Sequence, residues 1–279
     1  MKPSNYFKSM PANFWANVKI ISQGIGYAKN NLIIVPTKKE IEKLYISLHL
    51  DPNELFPKGN VSHFGRDILD YFSFRADTLN NYVQLMLMSA DEAEQMYMRL
   101  SKKIRITSKF PPQPMNKQKG DKKKKAFFTC MINLLIAQAI GNKQCDYDPH
   151  ELTFFIRNQY PLRTLSRRVD GAFPSTTNPK AIWEIKEYYY TTTFGSRVAD
   201  GIYETLLDGA ELYELNTNEH EKCYHYLFVD AKYTWWDCGK SYLCRLIDIM
   251  HMGFVDEVIF GSEIENRIPE IVKDWNLER

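Results

Sequence analysis

Cysteine is scarce in this chain: there are five (Cys130, Cys145, Cys223, Cys238, Cys244), an odd number with no Cys-x-x-Cys pair among them. A disulfide framework and a zinc ribbon are both disfavoured, and a reducing cytoplasm is the expected home. Long apolar runs are also missing. The most apolar stretch, Ala126 to Gly141, has 16 residues and is interrupted by Thr129, Asn133 and Gln138, too short and too polar to span a membrane. Met1 to Met10 lacks the apolar centre of a secretory signal. Net charge is nearly absent, with 36 Lys+Arg against 34 Asp+Glu. What is present, 44% hydrophobic and 25% charged residues over 279 positions, is the composition of a globular protein and excludes disordered and collagen-like chains.

The balance of charge hides a concentrated polycation. Between Lys102 and Lys125 lie nine Lys and one Arg against one Asp, a local charge of +9, so the other 255 residues carry −7. Within it, Lys109 to Lys125 contains three prolines and a glycine and little that is apolar, which reads as a loop or linker. Lys122, Lys123, Lys124 and Lys125 precede an apolar stretch, Ala126 to Ile140, that suits a buried helix. Four lysines oppose the macrodipole at a helix N-terminus, so helix stability does not explain the run; a solvated surface or an anionic partner does.

Residues 1–108 read as a mostly helical region. Thr37-Lys38-Lys39-Glu40 and Ser89-Ala90-Asp91-Glu92 are capping boxes opening helices through about Leu50 and Leu100. Asp67 to Met88 carries apolar residues at helical spacing. Residues 109–125 form the linker, and residues 126–279 a core in which helix and strand alternate. There, His150 to Gln159 reads as helix, Arg168 to Phe173 and Ala181 to Tyr190 as strands joined by a turn, and Arg197 to Leu215 as helix. Tyr224 to Tyr233 reads as strand, Ser241 to Met252 as helix and Val255 to Phe260 as strand. That order describes an α/β (α+β) core, a mixed sheet flanked by helices.

The chemistry centres on Arg167-Arg168-Val169-Asp170-Gly171 and Glu184-Ile185-Lys186, which holds the sole Glu-x-Lys of the chain. Alternation along a strand puts Glu184 and Lys186 on one face and Ile185 on the other, and a hairpin brings Asp170 beside them. Two carboxylates and an ammonium then suit a hard divalent cation next to a Lys that orients water. Leu227 to Lys232 is an internal rival, with Asp230-Ala231-Lys232 at the end of a core strand but no hairpin partner for a first carboxylate.

Over roughly Pro149 to Phe260 this arrangement resembles the PD-(D/E)xK nuclease superfamily, which includes most type II restriction endonucleases; Val169 stands where that pattern has proline. The resemblance implies a restriction-endonuclease-like core in which Asp170 and Glu184 bind Mg²⁺, the Ile185 carbonyl adds a ligand, and Lys186 positions the attacking water. Glu151, expected on a helix before the hairpin, is a further candidate ligand. The resemblance implies double-stranded DNA as substrate and a homodimer to cut both strands in a prokaryotic cytoplasm. DNA repair, mobile-element processing, phage defence and a catalytically inactive binding module of the same fold are the alternatives.

Arginine forks suit phosphate oxygens, so Arg157, Arg163, Arg167 and Arg168 are candidates for DNA contact, as are the lysines 122–125. Asp200, Glu204, Asp208 and Glu211 form a helical stripe that would repel phosphate and is expected to face solvent or a partner subunit. Cys238-Gly239-Lys240-Ser241 lacks the first glycine of a nucleotide-binding loop, Thr234 standing there, so no nucleoside triphosphate is expected. His220, Cys223 and His225 lack the second half of a metal cluster and read as structural.

Overall fold

A computed structural model describes residues 1–104, 111–190 and 195–276, without the side chains of Lys122, Ser196 and Asn276. The proposed boundary at 108/109, the linker residues Lys109 and Phe110, and the Lys122 side chain therefore lie outside the described residues. Among the described residues no helix is long and apolar enough to cross a membrane.

The N-terminal region is helical, as expected: α1 (Asn5–Lys8), α2 (Ala12–Ile25), a small hairpin of β1 (Ala28–Lys29) and β2 (Leu32–Ile33), α3 (Lys38–Ser47), α4 (His63–Thr78), α5 (Gln84–Met86) and α6 (Ala90–Lys103). Both capping boxes form, Thr37 with Glu40 and Ser89 with Glu92. The helix expected from Asp67 begins earlier than its apolar spacing suggests, because the Ser62 side chain caps Gly65 N–H. Phe14, Val18, Ile21, Ile41, Ile68, Tyr71 and Phe72 build the core of this region. A buried polar tie to the rest is Arg75, which pairs with Asp248 at 3.0 Å while Tyr71 Oη donates to the same carboxylate at 2.6 Å.

The core comprises α7 (Phe127–Ile140), β3 (Asp146–Tyr147), β4 (Phe154–Arg157), β5 (Tyr160–Thr164), β6 (Gly171–Phe173), β7 (Ala181–Glu187), α8 (Ser196–Glu219), β8 (Tyr224–Asp230), α9 (Lys240–His251), β9 (Glu257–Phe260) and α10 (Ile264–Asn276). It is a mixed sheet flanked by helices. The five strands run in the order β3-β6-β7-β8-β9, antiparallel from β3 through β7 and parallel from β7 through β9. Each parallel step needs a crossover, and α8 and α9 supply them. Trp183, Tyr226, Phe228 and Ile259 project to the face covered by α6, α7 and α10. The opposite face meets α8 and α9 through Ile182, Leu227, Val229 and Val258.

Two expectations differ from what forms. His150 to Gln159 is not a helix: residues 150–153 are a bend and irregular chain, and β4 and β5 form a separate two-stranded hairpin. Its turn, Asn158-Gln159, has φ of 51° and 71°, left-handed values that a tight hairpin needs and a helix forbids. The second difference concerns α6, which the sequence groups with the N-terminal region. Its Ala93, Met96 and Leu100 are buried in the same cluster as Phe127, Met131 and Trp275, so it is a layer of the core.

The described part of the lysine-rich stretch folds back onto α7. Asn116 N–H donates to Lys124 O at 2.8 Å, Ala126 N–H to Pro114 O at 3.0 Å, and Asn133 Nδ2 to Pro112 O at 2.9 Å. Lys117, Lys119, Lys123 and Lys124 remain exposed on it and Lys125 half-exposed. Lys124 lies 3.7 Å from Glu94.

Candidate active site

The hairpin of β6 and β7 forms in the register that the Asp…Glu-x-Lys spacing requires. Gly171 pairs with Trp183, and Asp170, one residue before β6, donates its N–H to Trp183 O at 3.1 Å. Asp170 thus lies across from Glu184, and its Oδ2 accepts Ile185 N–H at 2.7 Å. Gly171 is what permits this: a Cβ there would stand 2.0 Å from the Trp183 ring.

Glu184 and Lys186 share the face beneath α8, both buried. Lys186 Nζ lies 3.0 Å from Glu184 Oε2 and 2.6 Å from Glu204 Oε2. Arg167, from the loop entering β6, reaches Glu184 Oε1 at 2.9 Å, Glu184 Oε2 at 3.1 Å, Asp208 Oδ2 at 2.7 Å and Glu204 Oε2 at 3.4 Å. Two cations therefore stand among four carboxylates, Asp170, Glu184, Glu204 and Asp208. The acids are in excess.

Their protonation follows from that imbalance. Burial and the neighbouring Glu184 charge push Asp170 up to about 7, and the same two causes push Asp208 up to about 7. Burial also works against ionised Glu184, but Lys186 and Arg167 outweigh it and hold that carboxyl below its ordinary range. Lys186 is raised: burial opposes its charge, and Glu184, Tyr188 and Glu204 overcome the opposition.

The expectation for the acidic stripe is overturned. Asp208 and Glu211 are buried, Glu204 is half-buried against Lys186, and Asp200 alone of the four is exposed. Ser166 caps onto Glu211 through its N–H at 3.0 Å and its hydroxyl at 2.6 Å. The stripe faces inward because cations meet it there. A signal was present: Asp208 falls in series with Val198, Ile202, Thr205, Leu212 and Leu215, the core-facing positions of α8.

The arginines divide in the same way. Arg157 pairs with Glu219 and Glu221, Arg163 with Glu211 and Glu214, and Arg167 with the site acids. Arg168 is exposed and meets His150 Nδ1 at 3.2 Å. Glu151 lies in an exposed bend, off any helix, and among the described residues no contact joins it to Asp170 or Glu184. The helix expected to present it is replaced by the β4–β5 hairpin. The rival Asp230 is buried at the end of β8, its Oδ1 accepting Met88 N–H and Ala231 N–H at 2.8 Å each.

The donor set suits a hard cation: two carboxylates of adjacent strands, without sulfur or imidazole. Among the described residues no group of three or more acidic, histidine or cysteine side chains is placed to hold an ion unaided. Mg²⁺ commonly takes one or two carboxylates and keeps water in its remaining positions, so Asp170 and Glu184 are a sufficient protein share.

No curated protein and no solved structure matches the chain. Residues 1–82 match a family model described as Domain of unknown function (DUF7690). The second match, over residues 88–275, begins at the residue that Asp230 holds and takes in α6, the whole sheet and the Asp170 site, and through it the chain belongs to the family described as Domain of unknown function (DUF7687).

Proposed function

We propose that this protein is a Mg²⁺-dependent nuclease that hydrolyses phosphodiester bonds of double-stranded DNA at the Asp170–Glu184–Lys186 site. The observation that carries the reading is the placement of Asp170 across from Glu184 with Lys186 on the same strand face, amid more carboxylate than the local cations neutralise. Asp170 and Glu184 would hold the metal, which when bound supplies Lewis-acid stabilisation of charge developing on the phosphate. Lys186 lies beside Glu184, which with Tyr188 and Glu204 favours its charged form, and it would orient a water and offset negative charge at phosphorus. The strand order, with an antiparallel hairpin followed by a parallel helix-linked strand, supports the PD-(D/E)xK resemblance.

Within that activity we favour a type II restriction endonuclease acting as a homodimer in a prokaryotic cytoplasm. Residues 1–108 would read sequence, and Lys123, Lys124, Lys125 and Arg168 would contact phosphates. Arg163 and Arg167 are occupied by acids and contribute no free fork to DNA in this arrangement. Glu184, paired with both Arg167 and Lys186, also favours a second reading: a DNA-binding module of this fold without catalysis.

The test is incubation of the protein with phage genomic DNA and Mg²⁺, with fragment ends mapped. Discrete ends support restriction; dispersed ends support a repair or defence nuclease. Asp170→Ala, Glu184→Ala and Lys186→Ala should each abolish cleavage while retaining DNA binding. Binding indifferent to Mg²⁺ with no cleavage of any substrate would establish the binding module instead.

A further inference from the structure

Glu184 is approached by nitrogens on both oxygens. A carboxylate offers about four lone-pair positions, and three hydrogen bonds reach this one, from Asp170 N at 3.3 Å on Oε1 and from Arg167 Nη2 at 3.1 Å and Lys186 Nζ at 3.0 Å on Oε2, with Arg167 Nη1 in ion-pair contact with Oε1 at 2.9 Å. The Arg167 guanidinium lies across both oxygens, so a cation taking that side of the carboxylate must displace it. Asp170 N is fixed in the backbone and also donates to Trp183 O. Lys186 is buried in β7. Arg167 is the mobile member: it comes from a loop, keeps partial solvent access, and already touches two other carboxylates on α8.

One of those carboxylates is incompletely satisfied. Asp208 is fully buried, its Oδ2 is bonded to Arg167, and among the described residues its Oδ1 has no hydrogen-bond partner. A buried acceptor left open costs free energy, and a guanidinium fork laid across both oxygens of one carboxylate would remove that cost.

We propose that Arg167 is a positioning residue that exchanges between two seats: on Glu184, where it excludes a divalent cation, and on Asp208, where its fork covers both oxygens and leaves Glu184 open. This inference rests on the metal-site reading above. Asp208 and Glu204 retain the guanidinium during the exchange, and Lys186 keeps Glu184 in place. The pairing with Glu184 thereby holds the ligand in a neutralised, closed form until a cation competes for it.

The test is Mn²⁺ binding to the full chain, read by electron paramagnetic resonance, with circular dichroism confirming the fold of each variant. Arg167→Gln should tighten Mn²⁺ binding by about tenfold or more, the scale of removing one charged hydrogen bond. Asp208→Ala should weaken binding severalfold in wild type and leave it unchanged in the Arg167→Gln background, because the second seat matters only while Arg167 needs it. Equal weakening by Asp208→Ala in both backgrounds would be plain electrostatics and would overturn the exchange. If Arg167→Gln does not fold, Arg167→Lys, which keeps the charge and loses the fork, should bind Mn²⁺ more tightly than wild type; equal or weaker binding overturns the proposal. Should Mn²⁺ bind wild type in a manner abolished by Glu184→Gln while Arg167→Gln is no tighter, the exchange fails and the metal site stands. Should no variant bind Mn²⁺ through Glu184, the metal-site reading falls and takes the exchange with it.

Discussion

Asp230 and Met88 are joined across 142 residues, the Asp230 carboxylate accepting Met88 N–H at 2.8 Å. Lys232 N–H returns the bond to Met88 O at 2.8 Å. The Asp-x-Lys that begins at the last residue of β8 thus holds the start of α6 on the sheet, through the acid's side chain and the lysine's backbone. Asp230→Ala would orphan the buried N–H groups of Met88 and Ala231, at about 1–3 kcal/mol for each. The exposed Lys232 side chain takes no part, so Lys232→Ala should change stability by no more than about 0.5 kcal/mol. Urea melts of both variants check this, and both should keep any Mg²⁺-dependent cleavage that wild type shows. A folded Asp230→Ala protein with wild-type binding and no cleavage would move the active site to β8.

The same carboxyl gives the protein an unusual pH profile. Burial pushes Asp230 up to about 8, against the opposing pull of Tyr189 and the Met88 and Ala231 N–H groups. Glu187, half-buried while accepting Thr129 N–H and its hydroxyl at 3.0 and 2.9 Å, is pushed by desolvation to about 7. For both, the folded value lies above the unfolded one, so the folded state keeps its proton to higher pH. The stability they contribute is whole below the ordinary carboxyl range of about 4 and is lost as pH rises to about 8. Urea midpoints should therefore fall across that window. Asp230→Asn keeps an acceptor for both N–H groups and offers Tyr189 Oη a donor, and it should flatten the slope. An unchanged slope in Asp230→Asn would show that this carboxyl is ionised at neutral pH.

Parts of the fold are legible because local pattern and tertiary environment agree. Ala126 to Ile140 is apolar all round and becomes the buried α7; its lack of a side-chain N-cap is met by Glu187, which no local pattern supplies. The Glu184–Lys186 strand is legible from alternation, since a shift of one residue would place both charges in the Trp183 layer. β4 and β5 are not, because Asn158 and Gln159 turn the chain without glycine, and short apolar runs do not separate helix from strand. In the site, Asp170, Glu184 and Lys186 follow from spacing along two adjacent strands. Asp208 and Glu204 escape a sequence reading as site members because their partner, Arg167, is about forty residues away and nothing local turns its guanidinium inward.

Gly171 couples packing to the site. Any Cβ at this position meets the Trp183 ring, which is fully buried and stacked on Trp275 with centroids 5.6 Å apart. The ring has nowhere to go. Gly171→Ala should cost about 3 kcal/mol, at the upper end of overpacking, and displace Asp170 from Ile185 N–H. Denaturant melts would give the first effect. Faster amide exchange at Ile185, whose N–H loses its acceptor, would report the second; a variant as stable as wild type with unchanged exchange would mean β6 yields without moving Asp170.

Exposed lysines on the folded-back stretch before α7 give a prediction that depends on DNA alone. Lys117, Lys119, Lys123 and Lys124 project from a loop that its own backbone bonds close, so they form a charged surface with a fixed base and flexible tips. Ammonium groups on flexible stems neutralise phosphate without reading base edges. Every phosphate that goes without its neutralising cation lowers the slope of log affinity against log salt by about 0.9. Replacing Lys123, Lys124 and Lys125 with alanine should therefore weaken binding to all duplexes by a similar factor and reduce the slope by up to about 3, one phosphate for each lysine. Lys124 is discounted by its ion pair with Glu94, and Lys125 by its half-burial and its place over the Tyr97 ring, so the measured change in slope should fall nearer about 1 to 2. Titrations of two unrelated duplexes over a series of salt concentrations decide it. A weakening confined to one sequence with the slope intact would assign these lysines to base readout, and unchanged affinity for every duplex would place the DNA path on another face.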